Sequence, residues 1–419
     1  MSPTPGPSGP LASVLVLSPY YPPVLGGAET AAAQFAEYFA AEGRRVTVVT
    51  RRTPSASHDV ITDTGIVIRR VGVSGPRTGP AKWLALPAVL TTLLRHRRTY
   101  DVVLCVDYRA FGIAAVLARL WTGHPVIFQA ATDGVISLRA VQRWGHRCRG
   151  MAGAAIRPLL AMIIRLTSAP YRAADAYLCI SHEIEAETRA AGVPEPRVHH
   201  VPNPVDTVRF APATHAQRLA LRTAVGISSD AVVAVQVARL SREKGTLDAV
   251  AAWARPATSD VELLFVGPDM VGHPWNVGDE ARARAAAMGA SSHIRFVGGV
   301  PADDVVQWLQ LADMALQPSH FEAFGTAAIE AMACGLPVVV SDVGGLRDFV
   351  DNGVNGYRVP VGDVNALAAA VGVLAGDPER RAHMGRAARR TAERFDVAVV
   401  LRRVSNIVDE VVGRSTADR

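Results

Sequence analysis

The chain has 419 residues, a net charge of +6, 49% apolar residues and 20% charged residues. That is the balance of a globular protein with material for two domains or one large one. Its four cysteines, Cys105, Cys148, Cys179 and Cys334, form no C-x-x-C pair, so neither a disulfide framework nor a zinc site is indicated, and a reducing cytosol suits them. No aromatic-rich or zinc-binding nucleic-acid motif accompanies the basic charge, so nucleic acid is not an expected partner.

In chain order, the Pro/Gly-rich start over 1–12 reads as a disordered tail without the basic opening of a signal peptide. Strands are then predicted at 13–18, 45–51, 67–71, 101–106, 125–129 and 176–180, with helical patterns such as 28–41 and 110–121 between them. A proline-broken stretch at 203–212 marks a junction. Beyond it the alternation resumes, with strands at 232–237, 261–266, 294–297, 314–317 and 337–341 and helices at 303–311, 364–374 and 397–412. Strands alternating with helices predict doubly wound parallel sheets, whose ligands bind beyond the carboxyl ends of the strands.

Between 134 and 174 lie seven arginines (139, 143, 147, 149, 157, 165 and 172) and no acid, interleaved with Trp144 and aliphatic residues. No apolar run there reaches the roughly 20 residues of a membrane span. The stretch reads either as a surface for an anionic membrane or acceptor, or as a solvated basic face over ordinary core helices.

The most informative segment is 321–340, FEAFGTAAIEAMACGLPVVV. Its apolar run favours a helix that Gly335 can close, before a buried strand. Glu322 then lies in the loop before the helix and Glu330 one to two turns inside it. Between them Phe324, Gly325 and Thr326 offer backbone N–H groups at a helix N-terminus, where an anionic phosphate is favoured. Carboxylates that accept hydroxyl hydrogen bonds, flanking a phosphate cradle, suit a sugar nucleotide. Gly26 and Gly27 follow the first strand and let backbone approach a ligand closely, or form a plain turn. There is no G-x-G-x-x-G, which counts against a dinucleotide cofactor.

The E-x7-E spacing followed by EAMACGLPVV resembles the donor-site signature of the retaining glycosyltransferases of family 4. VPNPVDTVRFAP at 201–212, VARLSREKG at 237–245 and SDVGGLRDFVDNGVNGYRVPVGD at 341–363 agree in family order. The resemblance implies the GT-B fold: two Rossmann-like doubly wound domains facing across a cleft. It places an acceptor domain at 13–203, a nucleotide-sugar domain at 204–395 and a helix at 396–419 returning to the first. Its implied donor site is Gly26, Gly27, Arg239, Lys244, Glu322, Ala323, Phe324, Gly325, Thr326 and Glu330. Arg239 and Lys244 would hold the diphosphate and stabilise its departure without a metal, Glu330 the ribose hydroxyls, and Glu322 the transferred sugar. Gly344 and Gly345 read as a further strand-to-helix turn beside them.

Many relatives carry a His-Gly pair after the strand at 125–129; here the segment reads VIFQAATDG. Asp133 is the nearest polar substitute, as catalytic or acceptor contact or as a helix-cap residue, followed by Thr132 and Gln129. Asp107 and Tyr108 have a weaker claim to the acceptor pocket. The expected activity is transfer of a sugar, with retention, from a nucleotide sugar to a hydroxyl of a lipid-linked or soluble acceptor. The expected setting is the cytoplasm, with the 139–172 stretch available for the inner membrane face. A GT-B epimerase or phosphorylase and a non-catalytic nucleotide-sugar binder are the alternatives. Donor turnover without acceptor would favour the epimerase, and binding without turnover the binder.

Overall fold

The computed structural model describes residues 11–24, 26–74, 81–106, 108–130 and 169–417. The chain divides into two compact units, one of residues 1–202 with 400–419 and one of residues 203–399. The second unit runs past 396 because its entry and exit strands are tied together: Val397 N donates to Val205 O at 3.0 Å, Val205 N to Phe395 O at 2.8 Å, and Thr207 Oγ1 to Asp396 Oδ2 at 2.5 Å.

In the first unit, β1 (Val14–Leu17), β2 (Val46–Arg51), β4 (Val67–Val71), β5 (Val102–Val106), β6 (Val126–Ala130) and β7 (Ala176–Cys179) form near the expected positions. Two more strands, β3 (Val60–Ile61) and β8 (Val198–His200), complete an eight-stranded sheet of order β3-β4-β2-β1-β5-β6-β7-β8. All pairings are parallel except β3 with β4. β1 and β5 are fully buried, as expected of parallel strands covered on both faces. The helix Gly27–Ala41 lays Ala31, Ala32, Phe35, Ala36 and Phe39 into the core at helical spacing.

The second sheet holds β9 (Val232–Val237), β10 (Val261–Val266), β11 (Ile294–Gly298), β12 (Met314–Gln317), β13 (Val338–Ser341) and β14 (Gly356–Val359). Its order is β11-β10-β9-β12-β13-β14, parallel throughout. That order reverses between β9 and β12. Chains leaving these two strands cross to opposite faces, which opens a crevice beyond their carboxyl ends.

The last helix, Val397–Ala417, buries Val400, Leu401, Val404, Ile407, Val408 and Val411 along one stripe. Within the first unit, buried Arg44 pins it. Arg44 Nη1 donates to Asp409 Oδ1 at 2.7 Å, Nη2 to Ser405 Oγ at 2.7 Å and to Asp409 Oδ2 at 2.8 Å, and Nε to Glu42 Oε2 at 3.1 Å. Ser405 Oγ also donates to Glu42 at 2.7 Å. Hydrogen bonds to charged groups contribute roughly 1.5–3 kcal/mol each, but a truncated site relaxes and rehydrates. Arg44→Ala should therefore lower stability by about 2–3 kcal/mol in urea denaturation. A loss below about 0.5 kcal/mol would show that the network contributes little.

Candidate active site

The switch point of the second sheet gathers several of the candidate side chains. After β9 the chain forms a single 3-10 turn, Arg242–Lys244, whose amino end is capped by Ser241 Oγ accepting from Lys244 N at 3.4 Å. Gly245 follows with φ +67, and a Cβ there would sit 1.9 Å from Pro318 O, in the loop after β12. Only glycine lets these two loops touch. His320 N donates to Glu243 O at 2.8 Å, and His320 Nε2 meets Asp248 Oδ2 at 2.5 Å. Buried Gln236, in β9, donates to Lys244 O at 2.8 Å.

This closure brings Lys244 and Glu322 together: Nζ lies 2.8 Å from Oε2, with the side chains 17% and 12% exposed. The same oxygen accepts from Gln317 Nε2, at the end of β12, and from Ser319 Oγ at 3.4 Å. One carboxylate oxygen is thus gripped by three donors. Arg239 is exposed and makes no ion pair among the described residues.

The helix Thr326–Ala333 begins after Gly325, at φ +107, and ends in a Schellman turn where Gly335, at φ +79, is followed by Leu336 N donating to Ala331 O at 3.1 Å. The N–H groups of Gly325, Thr326 and Ala327 donate to no group among the described residues, leaving an open anion cradle. Gly344 and Gly345 press on the loop from behind. A Cβ on Gly344, at φ +47, would meet Glu322 O at 1.7 Å, and one on Gly345 would meet Phe324 Cα at 2.6 Å.

Glu330 is half-buried inside the helix, and its carboxyl has no hydrogen-bond partner among the described residues. Burial pushes its pKa up to about 7, opposed by the positive field of Arg209. Arg209 itself donates to Ala302 O and lies 3.1 Å from Asp303. Nothing in VPNPVDTVRFAP reveals which carboxylate Arg209 will face.

The acceptor-side candidates fare differently. Asp107, Thr132, Asp133 and nearly all of the 139–172 stretch lie outside the described residues. Tyr108 has a buried ring, stacked on Phe128 with centroids 4.6 Å apart and planes at 6°. Gln129 is also buried. Gly26 is extended and precedes the helix Gly27–Ala41, and a Cβ on Gly27 would meet nothing within 4 Å. Packing therefore does not demand glycine at 27. No described helix is long and apolar enough to cross a membrane.

Paired doubly wound sheets with carboxylates, cations and an anion cradle at a switch point define a glycosyltransferase of the GT-B fold. Residues 25–209 match the family described as Glycosyltransferase Family 4, and residues 217–391 that described as Glycosyl transferases group 1. A D-inositol 3-phosphate glycosyltransferase of Jonesia denitrificans is 30% identical over 385 residues, 88% of each chain. The chain belongs to the family 4 glycosyltransferases. Among solved structures, sucrose-phosphate synthase from Thermosynechococcus elongatus superposes with a TM-score of 0.78 at 22% identity, covering 96% of this chain and all of that one. HepE of Anabaena, solved with UDP-glucose, gives 0.72 at 20% identity, covering 95% and 100%.

The raised pKa of Glu330 has a stability consequence. The folded chain holds this proton more tightly than the unfolded one, whose value is the ordinary 4.5. The contribution is full below pH 4.5 and is lost as pH rises through about 7. Glu330→Gln removes the dependence, so the variant should match the wild type near pH 5 and exceed it by about 1–3 kcal/mol at pH 8. Urea denaturation at both pH values measures this, and a pH-independent difference would contradict it.

Proposed function

We propose that this glycosyltransferase moves a hexose, with retention and without a metal ion, from a nucleoside diphosphate sugar to an acceptor hydroxyl. The observation that carries the reading is the assembly of Lys244, Glu322 and an open helix N-terminus around the switch point, one to two helical turns from an unpartnered Glu330. Each part matches one part of such a donor. The backbone N–H groups and the Arg239 and Lys244 cations suit the diphosphate, where negative charge grows as the sugar leaves. Glu330 in its ionised form accepts from the two ribose hydroxyls. Glu322 accepts from hydroxyls of the transferred sugar once the diphosphate draws Lys244 away from it.

Glu322 is not assigned as a nucleophile. A double displacement needs a carboxylate on the face of the anomeric carbon opposite the leaving group, and Glu322 is engaged with Lys244, Gln317 and Ser319 instead. Retention is then best served by attack from the leaving-group face, with the departing phosphate oxygen accepting the acceptor's proton. The names of the relatives point to a phosphorylated polyol as the first acceptor class to try, with lipid-linked acceptors as the comparison.

A thermal-shift panel of UDP, GDP, ADP and dTDP identifies the base, since a ligand at 100 times its Kd adds about 2.7 kcal/mol. Against the preferred nucleotide, Glu330→Ala should weaken binding while leaving the fold intact, and calorimetry showing unchanged affinity would refute the ribose role. Arg239→Ala and Lys244→Ala should each lower turnover by roughly ten- to a thousandfold, or about 1.4–4 kcal/mol of transition-state stabilisation. EDTA should leave turnover nearly unchanged, and complete loss restored by manganese would overturn the metal-free reading.

A further inference from the structure

The edge of the second sheet opposite the donor loops carries a separate cavity. It lies at the amino ends of β9 and β12, whereas Lys244 and Glu322 follow their carboxyl ends. β9 alone, six residues at about 3.3 Å each, holds the two places roughly 20 Å apart. The cavity, of about 180 Å3, is lined by Arg218, Arg222, Arg381, His215, Asp313 and Asp230, with backbone around Val232.

The three arginines are not equivalent. Arg222, with its side chain 4% exposed, is consumed by structure: it donates to Leu311 O at 3.0 Å, Ser229 O at 2.8 Å, Ala231 O at 2.9 Å and Asp313 Oδ2 at 2.7 Å. Arg218 makes a single contact, Nη2 to Asp313 Oδ1 at 2.5 Å, and is 31% exposed. Arg381 spends Nη1 on Leu374 O at 2.5 Å and Ala375 O at 2.7 Å, and its Nε stands 4.0 Å from Asp313. Arg218 and Arg381 thus keep guanidinium N–H groups without a partner among the described residues.

Three guanidinium groups face two carboxylates, Asp313 and Asp230, beside His215. Asp313 is engaged on both oxygens, Oδ2 also accepting from Val233 N at 2.8 Å, and Asp230 is exposed. Burial lowers the Arg222 pKa, Asp313 and, more weakly, Glu262 oppose that shift, and Arg218 adds to it by repulsion. A hollow lined by three guanidinium groups, two of them with unspent fork-shaped donors, fits a tetrahedral oxyanion.

We propose that this cavity binds a phosphate-class oxyanion through the unspent N–H groups of Arg218 and Arg381. The ligand is either the free ion or the phosphoryl end of a small monoester. Its binding is independent of the donor loops, so the assignment stands apart from the proposed activity.

Thermal shift with inorganic phosphate, read against sodium chloride at equal ionic strength, tests it. Wild type should show a saturable rise in Tm, and a saturable rise should remain in an Arg239→Gln, Lys244→Gln background, where the donor loops have lost the cations that could themselves hold phosphate; the cavity substitutions are read in that background. Arg218→Gln and Arg381→Gln should each reduce the phosphate-dependent rise at least severalfold, whatever their own starting Tm. Arg255→Gln, the same charge change at an exposed site, should not. A parallel titration with glucose 6-phosphate separates the sources: an equal or larger rise assigns a monoester, and a rise with phosphate alone assigns the free ion. No rise beyond that of chloride in wild type, or a rise that survives both cavity substitutions, overturns the proposal.

Discussion

The ligand edge of the second unit depends on one steric constraint: the loop after β9 and the loop after β12 lie backbone against backbone. Pro318 O occupies the space that a side chain on residue 245 would fill. The neighbouring strands set the two loops side by side, and the absent Cβ lets them close the remaining distance. The Lys244–Glu322 pair, the His320–Asp248 contact and the bond from His320 to Glu243 all follow from that closure. From the far side, Gly344 and Gly345 let a third loop seat against residues 322–324. Glu322 is thereby fixed by backbone on two sides before any side chain acts on it.

Within this frame two glutamates of one helix-loop segment meet the cost of partial burial in different ways. Glu322 has three hydrogen-bond donors on one oxygen, the Lys244 ammonium, the Gln317 amide and the Ser319 hydroxyl. Glu330 has no hydrogen-bond partner among the described residues, and burial, opposed by the field of Arg209, raises its pKa to about 7. Pairing fixes a group in place, whereas protonation leaves it free to exchange its proton for a ligand's hydroxyl donors. Cys334, one turn further along, is pushed up to about 12 by burial, with the nearby Glu330 charge adding to the shift, so it behaves as a small apolar residue.

Much of this was legible in the sequence, because long parallel strands with apolar runs and helices between them carry their own period. The strands that escaped are those with weak patterns. β3 is two exposed residues, β8 is largely histidine, and β14 carries Arg358 within four residues. Glu322, Lys244 and Glu330 were found because their spacing within short motifs survives without a fold. Arg209 and the Arg218–Arg381 cavity were not, since each depends on groups brought together from distant segments. Nor does the sequence show the stacking of Tyr108 on Phe128, since a tyrosine at a strand's carboxyl end looks the same whether its ring turns outward or inward.

The first unit is discontinuous in the chain, and its closing piece is made last. Arg44 is synthesised early, yet two of its three side-chain partners, Ser405 and Asp409, lie in the last helix. While the chain is still being extended, residues 1–202 have emerged without the helix whose Ser405 and Asp409 Arg44 will meet, and Arg44 must stay hydrated. The second unit, by contrast, is complete once residue 399 is out. N-terminal domains ordinarily finish folding first during synthesis. Here the order is inverted: the first unit has all its residues only after those of the second are made, so Arg44 meets Ser405 and Asp409 after residues 203–399 are already in hand.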